Sequence, residues 1–204
     1  MKAAVLYGKT RIRATALLPR PATHDIIAGM NHNEWDDVFR ECYVKAVAAY
    51  RAGNRQPATF FNADETAFLA GIGCTPQELY DFAEDWCSSQ EPSFATVLLI
   101  TAARRDYFLT IQKSQPTGRV ISMADLPAKD AALAGFIWLP RQIAKARAKL
   151  AGEMPADLMY CCGGDRAFFK RVKCHPADFL RVVWAAHDDD QKIIAYIRQC
   201  AGGR

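Results

Sequence analysis

The sequence predicts an all-α protein built as a tandem duplication of a small four-helix unit, with both copies packed as one body of approximate two-fold symmetry. Three observations support this prediction. Apolar residues recur at the three- and four-residue spacing of helices through most of the chain. A pattern around Cys74 reappears 100 positions later around Cys174. Proline and glycine stand where helices are expected to begin and end, as at Pro140 and Gly152.

The N-terminal segment, residues 1–24, differs from the rest of the chain in its charge. It carries five basic residues and no acidic one, and Pro19 and Pro21 interrupt it. We expect a basic arm outside the repeated units. An organelle transit peptide is the alternative that this composition leaves open.

Residues 25–112 are predicted to form the first helical unit. Its first helix is expected to end near Gly53, and Thr75 and Glu78 have the spacing of a capping box at a later helix. The last apolar runs, 96–101 and 107–112, could be short strands, because such runs do not distinguish helix from strand. We prefer a helix, since the second unit ends in one.

Residues 113–122 are predicted to be a linker, and residues 123–204 the second helical unit. One stripe of the helix over 139–150 is apolar: Leu139, Ile143, Ala146 and Leu150. Three basic residues repeat every four positions, and we expect them to form a ridge facing away from the core: Arg141, Lys145 and Lys149.

The end of the second unit contains further helix starts. Gly163-Gly164 is expected to be a flexible turn, and Asp165 to cap the next short helix or lie in its first turn. His175 is expected to open the following helix, and the acidic residues after His187 to begin the last one.

The repeat that motivates the duplication covers roughly 34–110 and 133–201. Five pairs of residues match at an offset of 100: Phe68 with Phe168, Ile72 with Val172, Cys74 with Cys174, Pro76 with Pro176, and Leu79 with Phe179. The matched positions are helix starts and apolar residues, so they predict the same local fold twice.

The second unit resembles a bacterial family catalogued as a domain of unknown function, DUF5069, over about residues 123–197. The resemblance rests on G-F-I-W-L-P-R from residue 135, K-A-R-A-K-L-A-G from residue 145, C-G-G-D from residue 162 with the Phe-Phe that follows, and the acid-capped last helix. The family implies no established activity or functional residues. The first unit lacks L-P-R and C-G-G-D, so any site built on them would occur once.

Charge and cysteine content limit the classes of protein. Residues 25–100 carry four basic and twelve acidic residues, whereas residues 101–204 carry seventeen basic and ten acidic ones. The two units could therefore attract each other, or the basic unit could attract an anionic partner. Seven cysteines without repeated C-x-x-C spacing predict a reducing, cytoplasmic location, and the sequence has no apolar run long enough for a membrane span.

The sequence contains few groups suited to chemistry. Cys162, Cys174 and His175 could supply metal ligands if their loops converge, but burial is the simpler expectation for the cysteines, and we predict no metal or cofactor. Cys161 beside Cys162 is likewise expected to pack rather than to form a redox pair.

We therefore expect a non-catalytic module that binds a protein partner or a small ligand. An alternative is a small-molecule enzyme with one site in the second unit. Candidate pocket residues for either function are Trp138, Arg141, Arg147, Tyr160, Cys162 and Asp165. Asp165 is expected to be structural and to pair with Arg147. The third hypothesis is nucleic-acid binding through the basic arm and the predicted ridge.

Overall fold

The fold is taken from a computed structural model, which describes residues 33–202. The predicted basic arm, the first residues of the first unit and the last two of the second unit lie outside the described residues. Within 33–202 the chain is mostly helical, with eight α-helices and one hairpin of two very short strands. The helical fold class is thus confirmed. The hairpin was not predicted.

The first half of the chain forms four helices: α1 (Trp35–Arg51), α2 (Ala63–Gly71), α3 (Pro76–Ser89) and α4 (Phe94–Thr110). The predicted capping box at α3 is present, because the Thr75 hydroxyl accepts from the Glu78 N–H and the Glu78 carboxylate accepts from the Thr75 N–H. Residues 94–110 form one continuous helix, so the strand alternative for this segment is wrong.

The second half contains the hairpin of β1 (Ala132–Leu133) and β2 (Phe136–Ile137), followed by four helices: α5 (Leu139–Ala151), α6 (Gly163–Arg171), α7 (Pro176–Ala186) and α8 (Asp190–Gly202). Pro140 lies in the first turn of α5, and Gly152 ends that helix with a φ of +69°, both as predicted.

Gly163 and Gly164 are the first two residues of α6 rather than the predicted flexible turn. A Cβ on Gly164 would lie 2.9 Å from Cζ2 of Trp138. Gly164 therefore allows the start of α6 to pack closely against the indole ring that precedes α5. A glycine is needed here because of this contact, and not because of backbone flexibility.

The two halves share one contiguous buried core. Helix α4 of the first half packs against both α5 and α7 of the second half. Four ion pairs across this boundary join a cation of the second half to a carboxylate of the first: Lys149 to Glu78, Arg166 to Asp85 and to Glu91, and Lys170 to Glu91. Part of the opposite charge of the two halves is thus neutralised by ion pairs between them. No helix between residues 33 and 202 combines the length and the apolar character that crossing a membrane needs.

Candidate functional site

Helix α5 is buried over a wider arc than its apolar stripe predicts. Lys145 is 1% exposed and Lys149 is 2% exposed, so the predicted solvent-facing ridge with Arg141 is wrong. An α-helix turns about 100° per residue, so positions four apart drift about 40° at each step, and Lys149 lies about 80° from Arg141. Lys145 and Lys149 instead align with Trp138 and Gln142 in a second stripe that also faces the interior.

Three side chains of this stripe donate hydrogen bonds to Asp165, which lies on α6. Its side chain is fully buried and accepts four hydrogen bonds. The Nζ of Lys145 and the Nε2 of Gln142 donate to different carboxylate oxygens. The Nε1 of Trp138 donates at 3.1 Å and the backbone N–H of Cys161 at 2.9 Å. We call Asp165 and these four donors the closed cluster.

The cation that pairs with Asp165 differs from the predicted one. Arg147 lies at the surface, where its Nη2 donates to the Asp190 carboxylate at 2.7 Å and to the His187 carbonyl at 3.1 Å. Its position on α5 turns it away from the stripe that faces Asp165. The prediction that Asp165 lies in the first turn of its helix is confirmed, since Asp165 is the third residue of α6.

The remaining candidate residues separate into different environments. Cys162 lies beside the closed cluster, with its Sγ 3.6 Å from the Nζ of Lys145. Tyr160 is buried, and its hydroxyl donates to the Pro176 carbonyl at 2.8 Å. Arg141 donates to the Pro127 carbonyl at 2.9 Å. Of the six candidate residues, Trp138, Cys162 and Asp165 come together, whereas Arg141 and Arg147 do not join them.

The cysteines are free thiols throughout the described chain. Burial, and then the charge of Asp165, raise the pKa of Cys161 to about 12, so this thiol stays protonated. Between residues 33 and 202 no three His, Cys, Asp or Glu side chains are placed to hold a metal ion. Cys162, Cys174 and His175 therefore do not form a metal site. His175 instead caps α7, where its Nδ1 accepts from the Ala177 N–H, as its predicted position at the helix entry implies.

A cavity of about 410 Å³ lies between the two halves of the chain. Aromatic, aliphatic and thioether side chains form its apolar wall, including Phe82, Phe108, Met154, Leu158 and Met159. Four charged side chains also line it: Glu78 and Asp81 from α3, Arg104 from α4, and Lys149 from α5. Of the six candidate pocket residues predicted from the sequence, all of which the structure describes, only Tyr160 lines this cavity.

Lys149 crosses the boundary between the halves and donates to Glu78 at 2.6 Å. Burial acts to raise the pKa of Glu78, but the charge and the hydrogen bond of Lys149 outweigh it, and the pKa is held below its ordinary value. Glu78 is therefore ionised at neutral pH, and this pair stands as a neutral unit on the cavity wall.

Asp81 has the opposite behaviour, one helical turn from this pair. Its pKa is raised to about 7, mainly by burial and in addition by the charges of Glu78 and Glu84. The hydrogen bond that Gln77 Nε2 donates at 2.7 Å and the charge of Lys149 oppose part of this increase. Asp81 is thus a carboxyl group that changes protonation near neutral pH at the wall of a cavity.

Arg104 completes the charged lining and is 2% exposed. Its Nε donates to the Gly73 carbonyl at 3.1 Å, and its Nη1 donates to the Leu150 carbonyl at 2.8 Å and to the Gln112 side-chain oxygen. The guanidinium also stands over the Phe108 ring, 5.0 Å from its centroid. Arg104 therefore joins the end of α5 to the first half of the chain.

Comparison with known families matches residues 125–202 to the family described as Domain of unknown function (DUF5069). The second half of the chain carries a DUF5069 domain. This confirms the resemblance seen in the sequence. Neither the curated proteins nor the solved structures contain a match to the chain.

The closed cluster lies within the DUF5069 domain, whereas the cavity lies at its edge. Lys149, Gly152 and the segment to Tyr160 come from the domain, and α3 and α4 supply the opposite wall. Sequence reasoning missed Glu78, Asp81 and Arg104 as site residues. The i, i+3 spacing of Glu78 and Asp81 on α3 is a signal for one shared face, but the position of all three residues opposite Lys149 depends on how the two halves pack.

Proposed function

We propose that this protein is a non-catalytic binding module that holds a small organic molecule in the cavity between its first half and its DUF5069 domain. The observation that carries the proposal is the combination of a large apolar wall with four charged side chains around one space. A volume of about 410 Å³ lies in the range of small-molecule sites. An apolar wall with a few polar groups gives affinity and orientation together.

The closed cluster is less suited to a ligand or substrate. The carboxylate of Asp165 already accepts four hydrogen bonds, and the residue is fully buried. Both oxygens of this carboxylate are occupied by donors, so neither is accessible to a reacting group. These contacts favour a structural role for Asp165 and a binding function at the cavity over a one-copy enzyme site around Trp138 and Cys162.

Nucleic-acid binding through the predicted ridge has less support than ligand binding. Lys145 and Lys149 are buried in ion pairs and cannot reach a phosphate backbone. Arg166 and Lys170 are paired with carboxylates of the first half. The seven free thiols support the proposed cytoplasmic location.

We also infer that the two halves arose by duplication and pack with approximate two-fold symmetry, so that the cavity lies where the copies meet. Helices α2 and α6 each have nine residues and begin 100 positions apart. Both end in the same turn, in which the Cys74 N–H donates to the Leu69 carbonyl and the Cys174 N–H to the Phe169 carbonyl. Gly73 and Lys173 have left-handed φ values of +70° and +53° in these turns.

A second cavity of about 530 Å³ lies near Pro92 and His175. Four charged residues line it: Glu91 pairs with Arg166 and with Lys170, and Lys173 is exposed to solvent. This lining offers a ligand no buried, unpaired charge like that of Arg104, so we assign the ligand to the cavity at Arg104.

The test uses the methionine methyl groups as reporters. Met154 and Met159 line the cavity, whereas Met123 is 39% exposed and lies outside the lining. In ¹³C-methyl-methionine NMR of the full chain, members of a small-fragment library should shift Met154 and Met159 and leave Met123 unchanged. If no fragment shifts Met154 or Met159, the cavity is not a binding site and the proposal is wrong.

A blocking variant separates cavity binding from surface binding. Ala156 is exposed and lies in the cavity lining, so Ala156→Trp should close the entrance and abolish the methyl shifts. Ala58 is also exposed but lies outside the lining, so Ala58→Trp is the matched control and should leave the shifts intact. Shifts that persist in Ala156→Trp would place the bound fragments elsewhere.

A further inference from the structure

Arg104 is a buried cation whose hydrogen-bond partners are all neutral. Its Nε and Nη1 donate to two backbone carbonyls and to the Gln112 amide oxygen. Among the described residues no carboxylate forms an ion pair with Arg104. Its Nη2 donates no hydrogen bond to any of these residues. Burial acts to lower the pKa of Arg104, and the nearby charge of Glu78 opposes this.

The neutral partners compensate only part of this charge. The carbonyl of Leu150 belongs to the last turn of α5, and the C-terminal end of a helix carries roughly half a negative elementary charge. A guanidinium carries a full positive charge at any physiological pH. The remaining charge is on a side chain that is 2% exposed, so an anion bound in the cavity would stabilise it.

The Nη2 of Arg104 lies next to Gly152, which also lines the cavity. A Cβ on Gly152 would stand 2.5 Å from this nitrogen. The glycine therefore leaves room for the guanidinium edge at the cavity wall, and Nη2 is the donor available to a bound molecule.

The other charges of the lining nearly balance. Lys149 and Glu78 form a neutral pair. The pKa of Asp81 is about 7, set by burial, by Glu78 and Glu84 on its own helix, and by Lys149 from α5, so at pH 6 this carboxyl is mostly neutral. The described lining then has an excess of one positive charge, and that charge is on Arg104.

We propose that the ligand of this cavity is a small monocarboxylate with a short apolar body, and that its carboxylate pairs with Arg104. The inference rests on the proposed function, since it names the ligand class of the same cavity. A single negative charge compensates the excess on Arg104, and a carboxylate accepts from a guanidinium edge with good geometry. The apolar body packs against Phe108, Met154 and Met159.

The test compares molecules of the same chain length that differ in charge. Hexanoate, hexanamide, hexylamine and hexyl phosphate are titrated at pH 6 into the full chain, with the methyl signals of Met154 and Met159 as the measure of cavity binding. We expect hexanoate to bind at least about tenfold more tightly than hexanamide, because an ion pair to a buried arginine adds to the same apolar contacts. Hexylamine should bind most weakly.

A variant that gives Arg104 a carboxylate partner inside the protein tests whether Arg104 pairs with the ligand carboxylate. Gln112→Glu places a carboxylate where Arg104 Nη1 now donates to an amide oxygen. It should lower the affinity for hexanoate about tenfold and leave that for hexanamide unchanged. Gln115→Glu adds the same charge at an exposed position three residues away, and should leave both affinities unchanged.

Each outcome decides between the two proposals. Equal affinities for hexanoate and hexanamide at Met154 and Met159 overturn the carboxylate assignment and leave the binding function standing. Tighter binding of hexylamine or of hexyl phosphate also overturns it. If neutral fragments shift these methyl groups and hexanoate does not, the assignment is wrong, whereas no shift from any molecule removes the binding function itself. The wild-type series answers these questions even if Gln112→Glu fails to fold.

Discussion

Helix α5 carries two buried lysines one turn apart, and their ion pairs have different surroundings. Lys145 meets Asp165 inside the DUF5069 domain, where three further donors complete the carboxylate. Lys149 meets Glu78 across the boundary with the first half, on the wall of a cavity. Glu78 keeps 20% of its side chain exposed, whereas that of Asp165 has none. A buried charge therefore indicates a site for a ligand only where its surroundings leave space and an unmatched charge.

The largest expected effect comes from breaking the closed cluster. Asp165→Ala should lower the free energy of unfolding by about 3–5 kcal/mol, because it leaves Lys145 buried without a counter-charge. Lys145→Met should have an effect of similar size, since it leaves the carboxylate unpaired. Urea unfolding monitored by circular dichroism measures both.

Asp190→Ala is the matched control for these variants. Asp190 pairs with Arg147 at the surface, where the side chains are 42% and 39% exposed. Such a pair contributes about 0–1 kcal/mol. A loss from Asp165→Ala as small as that from Asp190→Ala would contradict a structural role for the closed cluster.

The next effect should come from Gly152, which has a left-handed φ of +69° beside Arg104. Gly152→Ala should lower the free energy of unfolding by about 2–3 kcal/mol, since backbone strain adds to a clash with the guanidinium. Gly53 has a φ of +88° with nothing within 4 Å of its would-be Cβ. Gly53→Ala should therefore cost about 1 kcal/mol. Equal losses in thermal melts would mean that Arg104 does not lie against Gly152.

The same substitution at the cavity wall should be milder than in the closed cluster. Lys149→Met should lower the free energy of unfolding by about 1–2 kcal/mol, because Glu78 can gain solvation from the cavity. Lys145→Met and Lys149→Met are the same substitution on the same helix, so a difference between them reports on the surroundings of the two ion pairs. A larger loss at Lys149 than at Lys145, in the same urea experiment, would reverse the proposed contrast between the two pairs.

The smallest effect concerns Asp81 and depends on pH. Its folded pKa of about 7 lies above the ordinary value of 3.8, so the folded chain binds a proton more tightly than the unfolded chain. The resulting stability is complete below about pH 4 and is lost as the pH rises through about 7. Asp81→Asn keeps a neutral side chain at every pH, so its stability relative to wild type should increase by about 1–2 kcal/mol between pH 5 and pH 8, allowing for partial solvation.

Asp37→Asn, at an exposed position of α1, should show no such change between the two pH values. Urea unfolding at pH 5, 6, 7 and 8 measures the difference for both variants. A difference between Asp81→Asn and wild type that is the same at all four pH values would mean that Asp81 does not titrate in this range.

Local sequence signals predicted the helices well. The Thr75–Glu78 capping box, Pro140 and Gly152 mark helix ends through contacts within a few residues, and all three appear as predicted. The DUF5069 resemblance over 123–197 was also correct and is matched over 125–202. These features depend on contacts between residues close in sequence or on sequence motifs, so they can be predicted from the sequence alone.

The site was harder to predict, because it depends on contacts between distant segments. Lysine is usually exposed, which made a solvent-facing ridge the natural expectation for Lys145 and Lys149. The alignment of both with Trp138 and Gln142 was available in the sequence and indicated an inward face. Their partners Asp165 and Glu78 lie 20 and 71 residues away, and nothing local specifies that pairing.

One NMR experiment tests the contrast between the two lysine sites directly. Trp138 Nε1 donates to Asp165 and reports on the closed cluster, while the methyl groups of Met154 and Met159 report on the cavity. Both are recorded in one sample during a hexanoate titration, with the Trp138 indole signal assigned through Trp138→Phe. We predict that the two methyl signals shift and the indole signal stays in place. A shift of the indole signal with both methyl signals unchanged would contradict the account, since it would place the ligand at Asp165.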